Sequence, residues 1–335
     1  MSLFIFNSNP YFRIVPINSG RLFLFTFVST LFIFFCGNTI LIRYLPYQPP
    51  FASSDSYWIQ NLRKIRNSPK SLKIVFYGSS RTQLNISPYE IVKQLSLRGK
   101  TVGCWNLALA KSEDTGLLAH VGEGLKANVV VLEQLGLQFS TPIKADDLKR
   151  FEKAKLLNWR YHLENNIKRN MEKRFPVLRG SFIQFLFNRT YLYFYYHDNG
   201  WREVKFNKYY ILQKKNRKKR VEYTIKNVSK DEAIENQKRY EEYFNYILKQ
   251  GTVLVIIRMP VGGEIAKMEK KLLSDSYHID FILRNPNILY IDANKHLKLK
   301  NYNPIDDSHL DASDAINFSK DLAIILDEWL EISER

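Results

Sequence analysis

Two regimes of apolar patterning divide the chain. Residues 22–42 read LFLFTFVSTLFIFFCGNTILI and carry no charge, whereas from about residue 72 short apolar runs alternate with amphipathic stretches. A helix over 22–42 spans roughly 30 Å at about 1.5 Å per residue, the thickness of a bilayer's hydrocarbon core. The run exceeds the roughly 7–15 residues of a signal-peptide core, and no small-residue cleavage site follows it. Bulky Ile33, Phe34 and Phe35 precede Cys36, which argues against a lipoprotein site. The pattern predicts an uncleaved transmembrane signal anchor over 22–42, in contact with membrane lipid. Arg13, Arg21 and the α-amino group lie before it and only Arg43 lies close behind. The positive-inside rule then places residues 1–21 in the cytoplasm and the main domain outside, as a single-pass membrane protein. Residues 43–70, which include Pro46, Pro49 and Pro50, read as a linker.

Beyond the linker, LKIVFY (72–77) has the composition of a buried strand. Ser87, Pro88 and Glu90 give a capping residue, a first-turn proline and a capping-box partner for a helix that Gly99 ends. TVGCWNL (101–107) and NVVVLE (128–133) read as strands around a helical pattern over Thr115 to Ala127. Residues 141–228 break the alternation; they are rich in Lys, Arg, Tyr, Phe and Asn and read as a large basic insertion of helices and loops. Regularity returns with a capping box at Ser229–Glu232 and a helical face of Ile234, Tyr240, Tyr243, Phe244 and Ile247. GTVLVIIRMP (251–260) and NILYIDA (287–293) supply two more strands, and Asp311 is placed to cap a closing helix from Ala312 to Glu331. About five apolar strands separated by helices predict an α/β domain over 71–332, a parallel sheet covered on both faces. Functional residues should follow the strands, at the carboxyl edge of the sheet.

Charge adds a partner class. There are 50 Lys+Arg against 33 Asp+Glu, a net +17, which favours anionic partners. The tract 214–220 (KKNRKKR) has the composition of a nucleic-acid patch, but a membrane anchor in the same chain sets that aside. It reads as a solvated loop, or one drawn to anionic headgroups or acidic glycan. Two cysteines, Cys36 and Cys104, make no disulfide framework, and no spacing of Cys and His resembles a zinc site.

The candidate chemistry lies in two places. Tyr77-Gly78-Ser79-Ser80-Arg81-Thr82 follows the first strand and offers a serine on a tight turn. Asp306-Asp307-Ser308-His309 follows the last strand, and a carboxylate three residues before a histidine can fix its tautomer and leave the other nitrogen as a base. Arg258, at the end of the fourth strand, and Arg81 either face the site and bind an acidic substrate or reach solvent. His120, His162, His197, His278 and His296 show no pairing and read as structural or exposed.

Gly78 and Ser80 in FYGSSRTQLNISP, with Asp306 and His309 in DDSHLDASDAINFS, resemble the SGNH/GDSL hydrolase superfamily. The likeness is to its membrane-anchored Gly-Ser-Ser subgroup, similar to D-alanine transfer and alginate O-acetylation proteins. It covers residues 72–140 and 250–332. It implies a three-layer, flavodoxin-like sheet with Ser80 as nucleophile, His309 as base and Asp306 as its orienting partner. It also implies an acyl-ester or glycan substrate and a membrane-bound acyl-donor protein as a further partner; no cofactor, metal or nucleic acid is expected. For the oxyanion, Asn106 stands in the second block. Lys111 or Ser112 stands where the family has glycine, and Gln134 or Gln138 where it has asparagine. The reading is a serine esterase or O-acyltransferase of a cell-surface or exported glycan. The alternative is a catalytically inactive relative that binds an acidic polymer or partner in a polysaccharide export or modification assembly.

Overall fold

The computed structural model describes residues 20, 23–32, 36, 61–108, 124–133, 191–197, 199–206, 230–273, 282 and 284–333. The chain divides into two units, Met1–Leu45 and Pro46–Arg335. In the first, residues 23–32 are helical, and Phe23, Phe25 and Phe32 are largely exposed. Among the described residues no helix is long and apolar enough to cross a membrane. The rest of the expected anchor, apart from Cys36, lies outside them, as does the linker up to residue 60.

The second unit is built on a five-stranded parallel sheet. Its strands are β1 (Leu72–Tyr77), β2 (Val102–Asn106), β3 (Val129–Glu133), β6 (Val253–Arg258) and β7 (Ile288–Asp292), in the order β2-β1-β3-β6-β7. With the intervening hairpin set aside this is the 2-1-3-4-5 order of flavodoxin-like sheets. The centre of the sheet is apolar on both faces because both are covered. One face packs Val75, Tyr77, Val130, Leu132, Leu254 and Ile256 against Tyr240, Phe244 and Ile247 of α3 (Lys230–Lys249). The other packs Ile74, Phe76, Val129, Val131, Val255 and Ile257 against α2 (Pro88–Leu97) and α5 (Ala312–Ser333).

A local signal accounts for the start of α2. Ser87 caps α2, its hydroxyl accepting from the Glu90 N–H, with Pro88 in the first turn. Asp311 precedes α5; its carbonyl accepts from the Ala315 N–H, and its carboxylate accepts from the Phe206 N–H. Three further helical segments lie where the sequence pattern predicts none: residues 61–66, inside the expected linker and burying Leu62 and Ile65, α1 (Ser80–Asn85) and α4 (Gly263–Leu273).

Three expectations need correction. The helix expected over 115–127 lies outside the described residues up to 123, and 124–127 form a turn and non-helical chain leading into β3. The insertion reads as helices and loops in the sequence, but its described part is an antiparallel hairpin of β4 (Tyr191–Tyr196) and β5 (Arg202–Phe206). Aromatic and β-branched residues favour strand there, and Gly200, at φ +92°, closes the turn. His197 shows no pairing in the sequence, yet it contacts Glu203 across this turn at 2.9 Å and stacks on Trp201. The tract 214–220 lies outside the described residues.

Candidate active site

The first strand delivers the chain to a glycine whose conformation and close neighbours disfavour any side chain. At Gly78 φ is +153°, and a Cβ there would lie 2.6 Å from Cβ of Glu133 and collide with Oγ1 of Thr82. The turn then enters α1. Ser79 caps it, its hydroxyl oxygen accepting from the Arg81 N–H at 3.1 Å. The pairing of Tyr77 with Leu132 in adjacent parallel strands brings Glu133 beside this turn. Glu133 is fully buried. Its Oε2 accepts from the Ser79 N–H at 2.8 Å, the Thr82 hydroxyl at 2.6 Å and the Thr82 N–H at 3.3 Å. The Ser79 hydroxyl also donates to the same carboxylate, at 2.9 Å to Oε2. A buried carboxylate needs such donors, and here they all come from the serine turn.

The second loop folds around Asp306. Its Oδ1 accepts from the backbone N–H groups of Ser308 at 3.0 Å and His309 at 2.7 Å. Its Oδ2 lies 2.9 Å from Nδ1 of His309. A carboxylate only accepts, so Nδ1 carries the hydrogen, and in the neutral ring Nε2 keeps its lone pair. Nε2 lies 3.0 Å from Oγ of Ser80. Asp306 and His309 are buried, while Ser80 is half-buried and retains a path to solvent. Asp307, in the same turn, has φ +66°, a conformation that Asp tolerates and branched residues avoid. Phe206 of the hairpin stacks on the His309 ring, centroids 6.2 Å apart.

Further bonds tie the two loops together. Asn85 of α1 accepts from the Leu310 N–H at 2.9 Å. Arg81 donates from Nε to the Ser308 hydroxyl at 2.8 Å and from Nη2 to Glu269 of α4 at 2.6 Å. Burial pulls the Arg81 guanidinium down, but Glu269, Glu133 and Asp306 more than offset this and hold it above its ordinary value. Trp201 donates from its indole to the Leu84 carbonyl at 3.0 Å, docking the hairpin on α1.

Gly78, Ser80, Asp306 and His309 therefore meet at one point on the carboxyl edge of the sheet. Two other candidates are used differently. The Asn106 amide donates to the carbonyls of Thr82 at 2.8 Å and Ile86 at 3.1 Å, and its oxygen accepts from the Ala108 N–H. Its side chain braces α1 and has no hydrogen left for an oxyanion. Arg258 pairs with Asp292 of the neighbouring strand at 3.3 Å. Arg81 neither reaches solvent nor faces the site; it is a buried ion-pair partner. Lys111, Ser112, Gln134 and Gln138 lie outside the described residues.

Sequence reasoning misses Glu133, Asn85 and Phe206. An acid ending the third apolar run is the available sign for Glu133. Phe206, inside an aromatic tract, offers none.

No protein-family profile matches the chain. No curated protein matches it either. Comparison with solved structures finds a family two carbohydrate esterase from Clostridium thermocellum in complex with cellohexaose, at a TM-score of 0.33 and 9% identity over 79% of this chain and 66% of that one. It also finds an acetyl xylan esterase (Est2A) from the rumen bacterium Butyrivibrio proteoclasticus, at 0.32 and 7% identity over 78% and 65%. This chain thus spans slightly under two thirds of each of those proteins. Likeness at this level carries no argument about activity, and the functional reading rests on the site itself.

Proposed function

We propose that this protein is a serine esterase or O-acyltransferase acting on an acylated glycan, with Ser80 as nucleophile, His309 as general base and Asp306 as its orienting partner. The observation that carries this reading is the continuous chain of contacts from Asp306 through His309 to Ser80, at 2.9 and 3.0 Å. A serine hydroxyl is a weak nucleophile until a base takes its proton. In the proposed step, Nε2 of His309 takes that proton as Oγ of Ser80 bonds to the acyl carbon. The carbonyl oxygen becomes an oxyanion. The Ser80 N–H, among the first-turn donors that a helix leaves without an intrahelical acceptor, is the donor proposed for it. The tetrahedral centre then expels the alkoxide, which takes the proton from Nε2, leaving an acyl-Ser80. Water or a second hydroxyl repeats the sequence in reverse, with His309 again as base. Asp306 balances the imidazolium formed in each half.

The uncharged run at 22–42 supports attachment to a membrane, with residues 71–332 outside the cytoplasm as part of the same proposal. The net +17 charge supports an acidic or exported polymer as the acceptor or donor.

The test is release of acetate from acetylated polysaccharides by the full-length protein, with and without added hydroxyl acceptors. Release that depends on Ser80 supports an esterase, and transfer to an added hydroxyl supports an acyltransferase. Salt-sensitive polyanion binding with neither activity would contradict the reading in favour of a non-catalytic binder.

A further inference from the structure

Ser80 and His309 are joined by one neutral hydrogen bond between two separate segments, and such a bond is worth only about 1 kcal/mol net. One residue further along each segment runs a second link. Arg81 follows Ser80, Ser308 precedes His309, and Nε of Arg81 donates to the Ser308 hydroxyl at 2.8 Å. We infer that Arg81 is a positioning residue that holds the serine helix and the histidine loop in register through Ser308 and Glu269. This rests on the proposed role of Ser80 and His309.

Three observations support it. The guanidinium is almost fully buried and turned to its partners, so it is not a substrate contact. Its planar fork fixes two acceptors at once: Ser308 on the histidine loop and Glu269 on α4. The pair is also a poor device for stability alone. Two buried charges are costly to desolvate, and among the described residues Oε2 of Glu269 has no hydrogen-bond partner. What the arrangement supplies is geometry, because charge-assisted bonds are shorter and stronger than the Ser80–His309 bond they flank.

Ser308→Ala is the sharpest test, since it removes one hydroxyl and leaves the ion pair intact. With the full-length protein and para-nitrophenyl acetate, it should lower kcat about 10-fold with KM nearly unchanged. Arg81→Met should lower kcat on the order of 100-fold. Arg81→Lys should restore only part of this, because an ammonium cannot reproduce the fork. Wild-type kcat in Ser308→Ala would overturn the inference. If Arg81→Met fails to fold, Ser308→Ala still decides. A crystal structure of Ser308→Ala gives a readout free of activity. Separation of Oγ of Ser80 from Nε2 of His309 beyond hydrogen-bonding distance supports the positioning role, and an unchanged contact refutes it. A wild type without ester turnover would overturn the proposed function, while that distance would still decide the role of Arg81.

Discussion

Glu133 holds Ser79 at both its N–H and its hydroxyl, at 2.8 and 2.9 Å, so the last residue of β3 sets the pose of the residue before Ser80. Glu133→Gln would turn one acceptor into a donor among groups that all donate. The expected result is a loss of about 1–3 kcal/mol of stability and a fall in kcat of roughly 10-fold. Urea denaturation and ester turnover on the same preparation measure the two effects. A variant that loses stability but keeps full kcat would separate Glu133 from the chemistry.

Gly78→Ala should be among the most damaging small substitutions. Its φ of +153° and the closeness of Glu133 and Thr82 leave no room for a methyl group. Backbone strain and overpacking together give a cost of roughly 2–5 kcal/mol. Gly99 gives the contrast, because a methyl group there would meet nothing within 4 Å and only its φ of +82° opposes the change. Denaturation midpoints for the two alanine variants should differ in that order.

The hairpin should behave as a clamp on α1. Trp201→Phe removes the indole donor and leaves the Leu84 carbonyl without it, at a cost of about 1–3 kcal/mol. Amide hydrogen exchange should quicken in β5 while β1 and β3 keep their protection. Uniform loss of protection would show that the hairpin is not a separable unit.

Asp327 predicts an acid-sensitive contribution to stability. Burial alone would raise its carboxyl, but hydrogen bonds from Lys100 and Arg98 outweigh this and hold it below its ordinary value. A carboxyl lowered by folding stabilises above its unfolded value, near pH 4, and this stabilisation is lost as pH falls through the folded value. Arg98 and Lys100 keep 41% and 22% of their side chains exposed, so the pair is worth only about 1 kcal/mol at pH 7. Asp327→Asn should therefore be less stable than wild type at pH 7, with the gap closing toward pH 3. A gap that stayed constant with pH would contradict this origin.

Much of the sheet is legible in the sequence because β1, β3, β6 and β7 are apolar runs with no competing helical period. Ser80, Asp306 and His309 are legible because their chemistry is local, a serine on a turn and an acid three residues before a histidine. Glu133 and Arg81 are not. Their roles depend on partners 54 and 188 residues away, brought near by strand register and helix docking. Asn106 shows the opposite failure: the family resemblance places this last residue of β2 at the oxyanion, yet the carbonyls of Thr82 and Ile86 take its amide. Helices α1 and α4 escape the pattern because α1 is six residues long and α4 opens on Gly263 without a capping side chain.

The most direct test of the central claim is labelling of the full-length protein with a serine-reactive fluorophosphonate, comparing wild type with Ser80→Ala and His309→Ala. The account predicts labelling of wild type, none of Ser80→Ala, and a rate for His309→Ala lower by at least about 100-fold. Folded wild-type protein that does not label, or Ser80→Ala that labels as fast as wild type, would contradict it.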